Sequence, residues 1–363
     1  MEEERRFCSL CHGELSADED YECNGEQLCE SCWEEHTTTC DHCGDVIWAN
    51  DSISDNSTTL CQCCFDDHYR RCESCGRILH DDEAVWYHDE PYCERCYDDL
   101  DNEIEEYSYK PDPIFYGEGT RFFGVELEVD CAGKDDDNAR KIKEQANVRC
   151  EHIYCKSDGS LDDGFEIVTH PMTLDYHLHD MQWEDVLHEA VCLGYRSHMT
   201  STCGFHVHIN RDALGETRDE QEAVIERILF FVELHWSEIF TFSRRSEYSM
   251  SRWAARYGYE KTGKQILDKA KKNGAGRYAA VNLCPYTTIE FRLFRGTLKL
   301  NTLYATLQFV NRIIDAALTM TEDEIATQSW SDFVQTITEP ELIKYLKERK
   351  LYVNEEVETE EEV

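Results

Sequence analysis

Residues 121–130 read RFFGVELEVD. Apolar and polar residues alternate along this run, which is the period of a β-strand with one buried face. Phe123, Val125, Leu127 and Val129 take one side, and Glu126, Glu128 and Asp130 take the other. Successive carboxylates on that side are then about 7 Å apart. A like-charged row this tight is costly unless water or a cation neutralises it. Hard cations such as Mg²⁺ take oxygen ligands of this kind, usually with substrate phosphates completing the shell. The competing reading is the solvated outer face of an edge strand, because acidic residues are mostly exposed.

Two further segments share the pattern. In GFHVHIN (204–210), His206, His208 and Asn210 lie opposite Phe205, Val207 and Ile209. In TIEFRLFRG (288–296), Glu290 and Arg292 lie opposite Ile289, Phe291 and Leu293, and Arg295 stands at the strand end. If the three strands share a sheet, carboxylates, imidazoles and guanidiniums converge on one surface. That combination suits Mg²⁺-nucleotide chemistry, with arginine clamping the transferring phosphoryl charge. Each piece also has a plainer reading. HxH is a frequent structural pair, and ExR on a strand is a frequent cross-strand ion pair. Asp158 beside Gly159 suits a turn, and Glu166 suits a surface. Cys203 and His206 fall on opposite faces of a regular strand, which argues against a thiol nucleophile.

The first 100 residues differ in kind. Of the 20 cysteines, 14 lie there, and twelve form a repeat without slippage. Cys8, Cys11, Cys29 and Cys32 are followed at a period of 32 residues by Cys40, Cys43, Cys61 and Cys64, and then by Cys72, Cys75, Cys93 and Cys96. Two CxxC pairs per repeat make a closed tetrahedral Zn²⁺ site, so three structural zinc ions are expected, in modules 8–32, 40–64 and 72–96. An iron site of rubredoxin type is the minor alternative. Cys23 and Cys63 read as spare thiols, and His36 and His68 as packing or capping residues.

Composition sets further bounds. A net charge of −40 over 363 residues argues against a nucleic-acid backbone or an anionic membrane as partner. It favours a basic protein or peptide partner, although a salt-rich environment also selects such acidity. No run of 18 apolar residues occurs, so no membrane span is expected. The first residues, MEEERRFCSL, lack the form of a signal peptide, so a reducing cytoplasmic setting, where thiols hold metal, is the expectation. Residues 101–120, with Pro111, Pro113, Gly117 and Gly119, read as an acidic linker. Residues 353–363 read as an acidic disordered tail. Helical periodicity marks 137–147, 174–193, 220–242, 264–272, 300–320 and 340–350. Strands separated by uneven helical insertions favour an α+β domain at 121–352, built on an antiparallel sheet. No P-loop or dinucleotide fingerprint is present.

The motifs FGVELEVD, KSDGSLDDGFEIVTHP, CGFHVHIN and RYAAVNL…TIEFRLFRGTL, in this order, resemble the amidoligase family. That family belongs to the carboxylate–amine ligases of the glutamine synthetase and glutamate–cysteine ligase type. The resemblance implies an antiparallel sheet whose concave face holds ATP and Mg²⁺, and ligation through an acyl-phosphate. It assigns Glu126, Glu128 and Glu290 to Mg²⁺, with Glu166 as a further acidic residue of the site. His206 would assist the metal or phosphate, with His208 beside it. Asp158, Arg277, Asn282, Arg292 and Arg295 would serve the nucleotide and acyl-phosphate. The cysteine repeats resemble the treble-clef halves of LIM-type zinc fingers, most clearly in CESCGRILHDDEAVWYHDEPYCERCY. They depart from it in having seven residues between modules rather than two.

The expectation is therefore an ATP- and Mg²⁺-dependent ligase that joins a carboxylate and a small amine in an amide or isopeptide bond, with zinc modules that recruit a protein substrate. The rivals are a non-enzymatic LIM-like adaptor on a degenerate ligase scaffold, and a hydrolase using a metal on His206 and His208.

Overall fold

In the computed structural model the described residues are 5–16, 21–87, 90–100, 103–272 and 276–352. The expected acidic tail at 353–363 lies outside them. The chain divides into two compact units, Met1–Asn102 and Glu103–Val363. No described helix is long and apolar enough to cross a membrane.

In the first unit each cysteine quartet is assembled the same way. The first CxxC pair forms a tight turn, closed by backbone bonds such as Gly44 N to Cys40 O (2.9 Å) and Gly76 N to Cys72 O (2.8 Å). His12, Gly44 and Gly76 occupy the equivalent left-handed position, with φ of +60°, +79° and +72°. This accounts for the glycine that recurs after the first pair. The second pair opens a seven-residue helix: Glu30–His36, Gln62–His68 or Glu94–Leu100. The seven-residue spacer is the rest of that helix followed by a strand, Thr37–Thr39 or Tyr69–Arg71, which pairs across the next cysteine turn with Val46–Trp48 or Ile78–His80. Val46 and Trp48 pack against the first small core, and Ile78 is part of the second. The longer spacing thus interlocks neighbouring modules.

The second unit carries a seven-stranded sheet. Its strands are β1 (Ile104–Glu105), β2 (Phe123–Val129), β3 (Ile153–Lys156), β4 (Phe165–Thr169), β5 (Gly204–Asn210), β6 (Val281–Asn282) and β7 (Thr288–Arg295), in the order β1-β3-β4-β2-β5-β7-β6. Every ladder is antiparallel except the edge pair β1–β3. The α+β class follows. Residues 103–120 are no linker. Ile104 is buried in the main core, its N–H donates to Asp136, and Lys143 reaches Glu103 at 2.7 Å. Polar composition and two prolines hid this single apolar anchor.

The apolar side of the sheet is dry. Phe123, Val125, Leu127, Phe205, Val207, Ile209, Ile289 and Phe291 are all fully buried, each aromatic or branched side chain contributing about 2–3 kcal/mol of burial. Against this side lie α4 (Arg218–Leu234), α5 (Trp236–Ser243) and α8 (Leu300–Thr319), with Phe242 stacked on Phe309 at 4.0 Å and edge-on to Phe294. Between α1 (Asp136–Ala146) and α4 come α2 (Leu174–His179) and α3 (Trp183–Cys192). After α5 come α6 (Glu247–Trp253) and α7 (Gly263–Lys272), and α9 (Glu322–Thr327), α10 (Trp330–Gln335) and α11 (Pro340–Glu348) close the unit. Two stretches expected as single helices are each broken in two. The 220–242 stretch bends at His235, whose ring packs between Phe231 and Trp330. The 174–193 stretch breaks so that Trp183 Nε1 can donate to His177 Nδ1 at 3.2 Å.

His177 is fully buried, and its Nε2 donates to Phe123 O at 3.0 Å. Burial pushes it down to about 4, against the bond to Phe123, which favours the charged form. The folded state therefore keeps the imidazole neutral. Below pH 6.5 the unfolded chain takes up a proton that the fold refuses. The stabilisation is complete above pH 6.5 and is lost as the pH falls towards 4, by roughly 3 kcal/mol. Urea midpoints at pH 7 and pH 4.5 should show this loss. His177→Gln should be less stable at pH 7 but lose less on acidification; an equal loss in both proteins would contradict the assignment.

Candidate active site

Strand register builds the opposite face of the sheet. Glu126 is paired with His206, Glu128 with Glu166, Lys156 with Glu166, His208 with Glu290, and Glu290 with Asn282. Cross-strand partners lie side by side on one surface. His206 Nδ1 is 3.2 Å from Glu126 and 3.6 Å from Glu290, and its Nε2 is 3.9 Å from Glu128. His208 Nε2 is 3.2 Å from the other oxygen of Glu126. Glu290 is held by Arg292 Nη1 (2.5 Å) and Asn282 Nδ2 (2.7 Å). Asp158, on the loop before β4, accepts from Ser160 N at 2.6 Å. Two groups of donor atoms result, Glu126/His206/Glu290 and Glu128/Asp158/Glu166, each with its atoms within 4.8 Å of one another.

The charges in this face are under strain. Burial, then the nearby Glu126, Glu128 and Asp158, push Glu166 well above the ordinary carboxylate range, so it is held protonated. Burial also raises Glu128. Burial would raise Glu126 as well, but His208 and His206 outweigh it and hold this carboxyl well below its usual value. His208 is raised: burial opposes the charge, but Glu126 and Glu290 prevail.

A β-bulge decides where Arg295 goes. Phe205 pairs with Phe294 and Val207 with Phe291, so Arg292 and Leu293 together oppose His206. Strict alternation would place Phe294 beside Arg292. The bulge instead sends both Leu293 and Phe294 to the core and leaves Arg295 to donate to Thr200 O at 3.2 Å.

Residues 126–314 match a family model described as "Putative amidoligase enzyme". The chain belongs to the amidoligase family. The crystal structure of a bifunctional glutathione synthetase from Pasteurella multocida is similar over 63% of this chain and 46% of that one, at 16% identity and a TM-score of 0.35. The chain thus spans about half the length of that protein. No curated protein matches the sequence.

Within this amidoligase some expected residues have other roles. Asp130 is not part of the carboxylate pair beside it: it accepts from Cys131 N, Asp162 N, Asp163 N and Thr202 Oγ1, and so ties two loops together. Arg277 bonds to the hydroxyls of Tyr107 and Tyr278 rather than to a carboxylate. Burial pushes the Cys203 thiol up to about 12, which leaves it inert as a nucleophile at neutral pH.

Other residues of the site were missed. Lys156 is buried next to Glu166, with its Nζ 5.5 Å from the Tyr107 ring centre. Alternation in IYCK, opposite Ile153 and Cys155, was the available signal. Arg245 had no signal, because it enters from the end of α5. It is 7% exposed, its Nη2 donates to Arg292 O, and its Nε has no partner among the described residues. Burial pushes it down to about 10; Glu128 counters this, while Arg292 and Arg295 add to it.

Proposed function

We propose that the second unit is an ATP- and Mg²⁺-dependent carboxylate–amine ligase that forms an amide or isopeptide bond through an acyl-phosphate. The observation that carries this reading is the meeting, on one buried sheet face, of two carboxylate-rich donor groups with the arginines 245, 292 and 295. The donor set suits a hard cation: it is mostly oxygen, and its crowded carboxylates already force Glu166 to keep a proton. Glu126, Glu128 and Glu290 would hold Mg²⁺, with His206, Asp158 and Glu166 beside them. When bound, the ion neutralises phosphate charge and orients the phosphates. Arg245, Arg292 and Arg295 stabilise the charge that develops on the transferred phosphoryl group. A substrate carboxylate attacks the γ-phosphorus and ADP leaves. The amine then attacks the acyl carbon, phosphate leaves, and the amine gives up a proton. Asn282 and Asp158 would position the nucleotide. Incubation with ATP, Mg²⁺ and pools of acids and amines should yield ADP, phosphate and a new amide detectable by mass. AMP and pyrophosphate, or no turnover, would overturn the reading.

Gly204 tests the packing of the same face. A Cβ there would lie 2.5 Å from Arg245 Nη2 and 2.6 Å from His206 Nε2. Both are side-chain ends, so Gly204→Ala should fold with a loss of about 1–3 kcal/mol. Both are also site groups, so ADP formation should fall at least tenfold. Wild-type turnover in this variant would remove Arg245 and His206 from the chemistry.

The zinc unit, in this reading, recruits a basic protein segment. Residues 1–100 hold 27 acidic against 6 basic side chains, and each four-thiolate zinc site adds a further −2. Such a field attracts cations, with an on-rate that falls as salt rises. Trp33 and Trp48 are spent on the first small core, whereas Trp86 is 52% exposed and available as an anchor. Deleting residues 1–102 should abolish labelling of lysate proteins but spare activity on a small amine. Equal loss of both, or of neither, would rule recruitment out.

A further inference from the structure

Helix α5 ends on two consecutive arginines with different surroundings. Arg245 is at the carboxylate face, close to Gly204 and His206. Arg244 lines a cavity of about 350 Å³ beyond the end of β7, with His198, Lys299, Thr302, Glu348 and Arg349.

Arg244 has a left-handed backbone, φ +63°, directly after the helix. Glycine is the usual residue at such a position, and a Cβ there costs about 1–2 kcal/mol. An arginine kept at that cost points to its side chain. Its Nη2 donates to Arg295 O at 3.0 Å, and its Nη1 donates to His198 Nδ1 at 2.9 Å, which fixes the imidazole as an acceptor on that side. Burial, together with Arg244, Arg295 and Arg349, holds His198 below its ordinary value and therefore neutral. The Nε atoms of Arg244 and Arg349 are both buried without a hydrogen-bond partner among the described residues. Lys299, the third cation, is neutralised by Glu348, with Nζ 3.0 Å from both carboxylate oxygens. Among the described ion pairs, none involves Arg244 or Arg349. Three cations thus line one cavity against a single carboxylate, Glu348, which Lys299 engages, in a chain whose net charge is −40.

The cavity also lies at the start of the 20-residue helix α8, whose N-cap Lys299 supplies no side-chain cap. The positive end of the helix dipole therefore adds to the two guanidiniums. A phosphate presents at least three strong acceptors and up to two negative charges, which matches two guanidiniums and a helix N-terminus better than the single charge of a carboxylate does. The volume is at the lower end for small-molecule sites, enough for a phosphate carrying a short substituent. We propose that this cavity is a binding site for a phosphate dianion, free or on a small monoester, distinct from the carboxylate face where the ligase chemistry is placed.

The test is titration of the full-length, zinc-loaded protein with inorganic phosphate and with glycerol phosphate, without ATP, followed by calorimetry and ³¹P line broadening. Saturable binding is expected. It should weaken at least tenfold in Arg244→Asn, a residue that tolerates the left-handed turn, and likewise in Arg349→Gln, where the backbone is ordinary. Arg292→Gln, which alters only the carboxylate face, should retain the affinity within twofold. Tighter binding of glycerol phosphate identifies a monoester as the ligand; equal or tighter binding of inorganic phosphate identifies the free ion. No binding, binding that survives both cavity variants, or binding lost in Arg292→Gln would overturn the site. The last outcome would leave the ligase reading standing, since the anion would then be on the carboxylate face.

Discussion

Purified protein is expected to carry three zinc ions per chain, and their removal to unfold residues 5–100 while residues 103–352 keep their structure. The sulfurs are already placed for the ion. Cys11 and Cys29 are 3.7 Å apart and Cys75 and Cys93 4.0 Å apart, close to the roughly 3.8 Å edge of a tetrahedron with Zn–S bonds of about 2.3 Å. They are far outside the roughly 2.05 Å of a disulfide. Without metal little else holds the modules. The second has Cys40, Leu60 and Ile78 as its buried apolar residues, on the order of 6 kcal/mol of burial. Ordering some 30 residues costs several times that. A structural zinc contributes about 10–16 kcal/mol in peptide modules, more than those buried side chains together. Elemental analysis should give three Zn. Hydrogen exchange after chelation should become fast across the module hairpins and stay slow in β2 and β5. One zinc or none, or undisturbed protection after chelation, would contradict the design.

Glu126→Gln is expected to abolish ADP formation, by about 100-fold or more, without unfolding the protein. The same is expected of Glu128→Gln. Glu126 contacts both His206 and His208, and Glu128 accepts the N–H of Gly204, so each belongs to a network as well as to a donor group. In Glu128→Gln the amide oxygen can still accept from Gly204 N, and in Glu126→Gln it can accept from one of the two imidazoles, while the charge that crowds Glu166 disappears. Glu166 should then titrate closer to its ordinary range. The metal-free protein should be unchanged or slightly more stable in Glu128→Gln, whose charge burial opposes, and somewhat less stable in Glu126→Gln, whose charge His208 and His206 stabilise. Turnover at the wild-type level in both variants would sink the role in metal binding. Loss of folding would show instead that the charges are structural.

Much of this protein was legible one residue at a time. The 32-residue cysteine period named all twelve sulfurs of the three clusters, because each CxxC pair closes within a single turn and needs nothing from afar. Alternation in FGVELEVD, GFHVHIN and TIEFR separated the core face from the polar face, because the pleat imposes a period of two on any strand half-covered by helices. Helix breaks were less legible: His235 ends α4 because its ring finds Phe231 and Trp330, one of them 95 residues away. The edge strand at Ile104 and the tie at Asp130 stayed hidden for the same reason, since their partners lie across loops. Only the tertiary structure decided that Glu126 meets His206 rather than His208 as its cross-strand partner, that a bulge turns Phe294 inward and Arg295 out, and that Arg245 joins the site from a helix end. Those are matters of register and of chain closure between residues 47 to 95 positions apart. Local periodicity states which way a side chain points, but only the packed sheet determines what it points at.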